Sequence, residues 1–335
     1  MKFGEIPVGQ ALGAILAHSV SHTGGVFKKG RVLSERDIAE LADGGIGSVY
    51  VAQLEADDVG EDEAAQIIAG ALAGDNTRVR DAATGRANIM SALDGVACID
   101  VQRINQLNLI DESLTVATVG AFEVAGAGQI LATVKVIPYA VKRGVLDIAL
   151  DILADQPALS VQPLENRKVA LIMTSVPGMK ASLHEKSQAA MRGRLEALGS
   201  TLDEVKITEH RIEAVAAAIT AAAPAHDLVL VFGASAIADR KDVIPAGLVE
   251  AGGEVVHLGM PVDPGNLMML GRLGAIDVIG VPSCARSPKV NGFDWVLARI
   301  LAGLDVTSGD IMGMGVGGLL KEIASRPAPR EAGPR

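Results

Sequence analysis

A regular alternation of short apolar runs with helical patterns after Arg167 constrains the fold more than any other feature of the sequence. Five runs have the length and β-branched composition of buried strands: 169–173, 204–207, 228–232, 254–258 and 276–281. Between the first two runs, Met191, Leu195 and Leu198 recur at helical spacing. Strands separated by helices run parallel with right-handed crossovers. We therefore expect a three-layer α/β/α domain with a mostly parallel sheet.

The sequence divides into four segments. Residues 1–76 predict an N-terminal α/β segment, and the short β-rich runs of residues 77–165 predict a β-containing middle domain. The three-layer α/β domain is expected over residues 166–305. Residues 306–335 predict a C-terminal helix followed by a disordered tail, since the chain ends in RPAPREAGPR.

Two helix starts carry the pattern of a capping box. Ser34 with Asp37 precedes a helix that ends at the glycines 44 and 45, and Ser182 with Glu185 precedes the helix that contains Met191. A further amphipathic helix is predicted over residues 61–73.

Charge and composition limit the classes of partner. The formal net charge of −10 repels nucleic-acid phosphates, and aromatic residues make up only 2% of the chain, which leaves little to stack on bases. Cys98 and Cys284 form no CxxC pair, which favours a reducing compartment, and no long uncharged apolar run predicts a membrane span. We expect a cytoplasmic protein that binds neither nucleic acid nor membrane.

Three loops directly follow predicted strands, at residues 174–182, 233–242 and 282–292. Ligands of open parallel sheets bind outside the carboxyl ends of the strands, where these loops are expected to meet. Each loop is rich in Gly, Ser or Pro and carries cations, namely Lys180, Arg240, Lys241, Arg286 and Lys289. In an acidic protein, cations gathered there indicate an anionic ligand. Loops between strands and helices are also Gly-, Ser- and Pro-rich in proteins where they bind nothing. The alternative that these three are ordinary connecting loops therefore stays open.

Two acids stand in the second of these loops. Asp239 and Asp242 would be repelled by a bound phosphate unless they hold a divalent ion or transfer a proton, which makes them candidate catalytic residues and Asp242 a candidate metal ligand. The alternative is that Asp242 caps the helix that begins near Ile244 or pairs with Arg240.

The order of these motifs resembles a known family. The segment VFGASAIADRKDVIPAGLVEAGGEVVHLGMPVDPG resembles the molybdopterin-binding domain of molybdenum-cofactor biosynthesis proteins, where a strand leads through a Gly- and Ser-containing loop and an Asp into a helix. Pro264 and Gly265 match a later Pro-Gly turn, and Pro282 begins the last matching loop. The resemblance covers about residues 166–305. Upstream, KKGRVLSERDIAELADGGIGSVYV looks like the segment that precedes this domain in the molybdotransferase type.

The resemblance implies a ligand, a site and partners. The ligand would be molybdopterin or the molybdenum cofactor, with Mg²⁺ as an additional candidate. The residues expected to bind it are Thr174, Ser175, Lys180, Gly233, Ser235, Pro264, Gly265, Ser283, Arg286, Ser287 and Lys289. Partners would be a cofactor nucleotidyltransferase or a molybdoenzyme apoprotein, and the chain is expected to form a homo-oligomer.

Departures from the family pattern leave the chemistry open. Phe232 replaces the first glycine of a Gly-Gly pair, and the first loop lacks the acids that are common there. The chain could therefore insert molybdate or only bind and hand over the cofactor. A different alternative is a Mg²⁺-dependent phosphosugar or nucleotide hydrolase that uses Asp239 and Asp242.

Overall fold

The computed structural model describes residues 1–320, so the predicted tail lies outside the described residues. The described residues form two compact units, one of Met1–Pro163 and a second that begins at Leu164. Within residues 1–320, no helix has both the length and the apolar character that a bilayer-spanning segment requires.

The first unit is built mainly from short antiparallel strands. Its strands are β1 (Lys2–Pro7), β2 (Ile15–Leu16), β3 (Val20–His22), β4 (Gly25–Phe27), β5 (Ser48–Gln53), β6 (Asp58–Gly60), β7 (Thr77–Val79), β8 (Arg86–Ser91), β9 (Gly95–Ile99), β10 (Leu114–Thr118), β11 (Val124–Ala125), β12 (Ile130–Val136), β13 (Ala140–Lys142) and β14 (Leu159–Pro163). Its helices are α1 (Glu35–Asp43), α2 (Glu61–Leu72), α3 (Val101–Asn108) and α4 (Arg143–Leu153). These strands form five small sheets, of which the largest has the order β10-β12-β8-β7.

Two hydrophobic cores lie within this unit. One surrounds Leu16, Leu41 and Val51, and the other joins α2 to strands β8, β9 and β12. The capping box predicted at the start of α1 is confirmed, because the Ser34 hydroxyl accepts the Asp37 N–H and the Asp37 carboxylate accepts the Ser34 N–H.

The second unit contains one large sheet. Its strands are β15 (Lys168–Ser175), β16 (Thr201–Glu209), β17 (Leu228–Phe232), β18 (Glu254–Leu258), β19 (Met269–Leu273) and β20 (Ile276–Val281), in the order β16-β15-β17-β20-β19-β18. Its helices are α5 (Ala181–Ala197), α6 (Ile212–Ala222), α7 (Val243–Glu250), α8 (Gly292–Leu301) and α9 (Ser308–Met312). The predicted α/β class is confirmed.

Helices cover both faces of this sheet. Leu228, Leu230 and Phe232 of β17 pack into a core with α5 and α8, while Val229 and Val231 between them pack into a second core with α6 and α7. Alternate residues of a strand point to opposite faces, so an apolar run such as LVLVF is buried on both sides.

Two local predictions are wrong. Ser182 and Glu185 do not form a capping box, because α5 begins at Ala181 and its N-cap residue, Lys180, makes no side-chain hydrogen bond to the helix. A tight turn at Gly178, with φ of +83° and a Met179 N–H to Val176 O bond of 3.1 Å, starts the helix early.

The second correction concerns the edge of the sheet. The sequence predicts no strand between the runs 254–258 and 276–281, but β19 lies there. It runs antiparallel to β20 and pairs Leu273 with Ile276 across a turn at Gly274. A hairpin therefore joins β19 to β20. A helical crossover at this place would have made the two strands parallel. Strands β15, β16, β17 and β20 are parallel, as predicted.

Candidate functional site

The parallel strands end at one edge of the large sheet. In the register of the strands, Ser175 lies opposite Glu209, Met173 opposite Phe232, and Phe232 opposite Val281. The loops that follow β15, β16, β17 and β20 therefore start side by side. We call this the carboxyl edge.

Arg286 lies half-buried at the carboxyl edge. Its guanidinium stacks 4.5 Å from the centroid of the Phe232 ring, its Nε donates to the Ser187 hydroxyl at 3.2 Å, and its Nη2 donates to the Gly233 carbonyl at 3.1 Å. No carboxylate in residues 1–320 pairs with Arg286, and burial lowers the pKa of its guanidinium below the usual value. A partly desolvated cation whose partners are all neutral leaves a positive charge that an anion can balance.

The loop that carries Arg286 is held by a second arginine, which sequence reasoning missed. Arg194 of α5 pairs with Asp294 at 2.6 Å and donates to the carbonyl oxygens of Ala285, Ser287 and Lys289 at 3.0, 2.7 and 3.1 Å. A buried guanidinium with several acceptors fixes the backbone of an otherwise irregular loop. The sequence signal for Arg194 is its position in the last turn of α5, which does not by itself indicate a contact with this loop.

A chain of polar side chains joins the ends of β15, β16 and β17. The buried Thr174 hydroxyl accepts the Ala234 N–H at 2.7 Å and lies 2.9 Å from Nδ1 of His210. Nε2 of the same imidazole lies 3.2 Å from the exposed Ser235 hydroxyl. Thr174 and Ser235, both expected at the site, are thus brought together by His210.

His210 was not among the residues expected at the site, although a signal for it exists. It directly follows β16, which extends from Thr201 to Glu209 and beyond the predicted 204–207 at both ends. Ligands of parallel sheets bind outside the carboxyl ends of the strands, and this reason for selecting the other three loops applies equally to the loop after β16.

An open cleft of about 880 Å³ lies beside His210. Its walls come from the ends of β15 and β16 and the start of α6: Ser175, Val176, Pro177, Ile207, Thr208, Glu209, His210, Arg211 and Ala214. The cleft combines an apolar wall with the polar imidazole, as small-molecule sites commonly do.

Gly233 is required by the fold of the second loop. A Cβ at this position would stand 2.4 Å from the Ser235 carbonyl oxygen, a backbone atom that cannot move away cheaply. The loop therefore turns tightly after β17 and brings the Gly233 carbonyl to Arg286.

The remaining expected residues lie at the carboxyl edge in different surroundings. Lys180, Ser283 and Lys289 are exposed, and the half-buried Ser175 uses its carbonyl to accept the His210 N–H at 2.9 Å. Ser287 accepts the Lys289 N–H through its hydroxyl at 3.3 Å.

Pro264 and Gly265 contact the start of α8. The Pro264 carbonyl accepts the Gly292 N–H at 2.8 Å, and a Cβ on Gly265 would stand 2.8 Å from the Gly292 nitrogen. This close backbone contact gives the Pro-Gly turn a packing role, whatever it binds.

The two acids of the second loop are bonded to backbone. Asp242 is the N-cap of α7 and accepts the N–H of Val243 at 2.7 Å with one oxygen and that of Ala238 at 3.1 Å with the other. Asp239 accepts the Lys241 N–H at 2.8 Å.

A metal ion needs several carboxylate, imidazole or thiolate donors close together. Within residues 1–320, the only group of three or more His, Cys, Asp or Glu side chains close enough to share an ion consists of Glu55, Asp57 and Asp58 of the first unit. Lys142 already pairs with all three of these carboxylates. In the described part of the chain, Asp239 and Asp242 belong to no such group, so the donors near them do not by themselves fit a Mg²⁺ ion.

Comparisons with known proteins assign no family to the whole chain. A domain of unknown function, DUF8806, matches residues 5–53, in the first unit. No curated protein matches the sequence.

Solved structures that are similar include three proteins of molybdenum-cofactor biosynthesis. The molybdopterin biosynthesis MoeA protein of Pyrococcus horikoshii is 13% identical over 90% of this chain and 75% of its own, with a TM-score of 0.31. Molybdenum cofactor biosynthesis protein B is 15% identical over 42% of this chain and 97% of its own, with a TM-score of 0.32. A molybdenum cofactor biosynthesis protein from Pyrococcus furiosus is 13% identical over 93% of this chain and 65% of its own, with a TM-score of 0.25. These TM-scores are too low to establish a shared fold, so they assign no function.

Proposed function

We propose that the second unit binds molybdopterin through its phosphate at the carboxyl edge, as a binding or hand-over protein of molybdenum-cofactor biosynthesis. The observation that carries this proposal is the half-buried Arg286, whose partners in residues 1–320 are all neutral. The identity of the ligand rests on the resemblance of residues 166–305 to molybdopterin-binding domains.

The residues present fit a phosphate group. Nη1 of Arg286 makes no hydrogen bond within residues 1–320, and its Nε and Nη2 are already held by Ser187 and Gly233. The guanidinium is therefore fixed in place before the ligand arrives, which reduces the entropy that binding would cost. Ser235 lies two residues after Gly233 on the same loop and adds a hydroxyl.

The geometry favours binding over a metal-dependent hydrolase. A hydrolase of that kind needs carboxylates directed at a shared ion, whereas each oxygen of Asp242 accepts a backbone N–H. Positive charge with polar donors, without a group of metal ligands, is the pattern of an anion-binding site.

Replacement of Arg286 tests the proposal. We expect Arg286→Ala to weaken the Kd for molybdopterin about 10- to 100-fold, because hydrogen bonds to a charged group contribute about 1.5–3 kcal/mol. Anaerobic titration calorimetry gives the affinity. Emission of Trp295, the only tryptophan, gives a second readout because α8 follows the loop that carries Arg286.

The matched control removes the same charge elsewhere in this unit. Arg192 of α5 is exposed and forms a surface ion pair with Glu196 at 4.0 Å, so Arg192→Ala is expected to leave the affinity unchanged. Wild-type protein that does not bind molybdopterin, or an Arg286→Ala variant that binds as tightly as wild type, would contradict the proposal.

A further inference from the structure

The side chains of Ser235, His210 and Thr174 are spaced like the nucleophile, the base and the orienting group of a catalytic site. The distances of 3.2 Å from Ser235 Oγ to His210 Nε2 and of 2.9 Å from His210 Nδ1 to Thr174 Oγ1 are within hydrogen-bond reach. Whether this arrangement activates Ser235 or holds it as a donor depends on where the hydrogens lie.

One backbone group decides the hydrogen positions. The Ala234 N–H donates to Thr174 Oγ1, so Thr174 is an acceptor at that contact. Its own hydroxyl hydrogen needs an acceptor because the side chain is buried, and Nδ1 of His210 is the only partner that residues 1–320 provide. The reverse assignment would leave a buried hydroxyl hydrogen without an acceptor, which is unfavourable.

The tautomer of His210 follows from this chain. When Nδ1 accepts from Thr174, the neutral imidazole carries its hydrogen on Nε2 and donates it to Ser235 Oγ. The hydroxyl hydrogen of Ser235 then has no acceptor within residues 1–320. The side chain is exposed, so this hydrogen is directed toward solvent or a ligand.

We propose that His210 is a positioning residue that, through Thr174, holds Ser235 as a hydrogen-bond donor to an anionic oxygen of the ligand. This inference rests on the proposed function, and it specifies the class of group that Ser235 recognises: an oxyanion such as a phosphate oxygen. An imidazole with hydrogen on Nε2 cannot accept the Ser235 proton, so Ser235 is a binding group and not a nucleophile.

The tautomer can be measured without any ligand. Long-range ¹H–¹⁵N correlation spectra of protein labelled at its six histidines should show His210 with hydrogen on Nε2, and His210→Gln identifies its signals by their loss. Thr174→Val should abolish the preference for this tautomer, and Thr174→Ser should restore it. His210 with hydrogen on Nδ1 in the wild-type protein would overturn the inference.

A double-mutant cycle separates positioning from a merely structural role. We expect Ser235→Ala to weaken the Kd for molybdopterin about 10- to 100-fold. We expect Thr174→Val to weaken it about 2- to 10-fold, because the ligand must then order Ser235 itself. In the Ser235→Ala background, Thr174→Val should have no further effect.

Thr220 provides a control for the loss of a threonine hydroxyl. Thr220→Val makes the same change on α6, where the hydroxyl bonds the Ala216 carbonyl, and should leave affinity unchanged. Equal effects of Thr174→Val in both backgrounds, with thermal midpoints showing folded protein, would overturn the positioning role. If wild-type protein shows the expected tautomer but binds no molybdopterin, the proposed function fails and Ser235 loses its assigned ligand, while the hydrogen-bond chain itself stands.

Discussion

At the residue scale, Asp242 and Arg286 differ in how many of their hydrogen-bonding atoms already have a partner within the protein. Asp242 accepts a backbone N–H with each carboxylate oxygen, so its charge already stabilises the loop and the first turn of α7. Among the residues that the structure describes, Arg286 has only neutral partners and keeps one nitrogen donor without a hydrogen bond. A charge without an internal counter-ion is the better indicator of a ligand site, because its burial is otherwise unfavourable.

Asp242 itself can be tested by an isosteric change. We expect Asp242→Asn to lower the free energy of unfolding by about 1 kcal/mol, because an amide can accept only one of the two N–H groups. Molybdopterin affinity should stay near the wild-type value. Urea unfolding followed by Trp295 emission measures the first quantity, and calorimetry measures the second.

The same variant distinguishes a cap from a catalytic acid. Glu250→Gln, an exposed change at the other end of α7, is the control for loss of a carboxylate. If Asp242→Asn reduced molybdate insertion by orders of magnitude while affinity was retained, the carboxylate would have a role in the reaction beyond capping.

At the element scale, close packing of α7 on the sheet depends on a glycine in β19. A Cβ at Gly271 would stand 2.2 Å from Cδ2 of Leu248 and 2.7 Å from the Glu254 carbonyl oxygen. The second contact is with the backbone of the neighbouring strand β18, which cannot shift without disturbing the pairing of the two strands.

Substitution of two glycines by alanine should therefore have opposite effects. We expect Gly271→Ala to destabilise the second unit by about 1–3 kcal/mol through overpacking. Gly193 is exposed on α5, and a Cβ there would meet no atom of residues 1–320 within 4 Å, so Gly193→Ala should stabilise by about 0.5–1 kcal/mol. Urea unfolding measures both variants, and small effects of the same sign would contradict this account of the packing.

At the scale of the whole molecule, the core of the second unit continues past α8. Val306, Ile311 and Met314 are buried in the same cluster as Phe293 and Leu297. Since burial of each large apolar side chain contributes about 1.5–3 kcal/mol, these three together are comparable with the stability of an average domain.

Two fragments test this extent of the core. A fragment of residues 164–320 should unfold cooperatively, whereas one of residues 166–305, the predicted domain, should be less stable by about 5 kcal/mol or fail to fold. Thermal circular dichroism together with Trp295 emission compares them. Equal midpoints would show that the residues after 305 add little to the core.

The sequence by itself determined the bounds of several strands of the large sheet and the edge at which their loops meet. The runs 228–232, 254–258 and 276–281 match β17, β18 and β20 residue for residue, because an apolar run bounded by polar turns is a local pattern. Parallel order then placed the ends of β15, β17 and β20 together.

Only the tertiary structure decided which side chains at that edge act together. Thr174 and His210 are 36 positions apart, and Arg194 contacts a loop more than 90 positions away. The antiparallel direction of β19 likewise follows from a hairpin at Gly274. Periodicity in a sequence reports on neighbours within a strand or a helical turn, whereas these contacts depend on how distant elements pack.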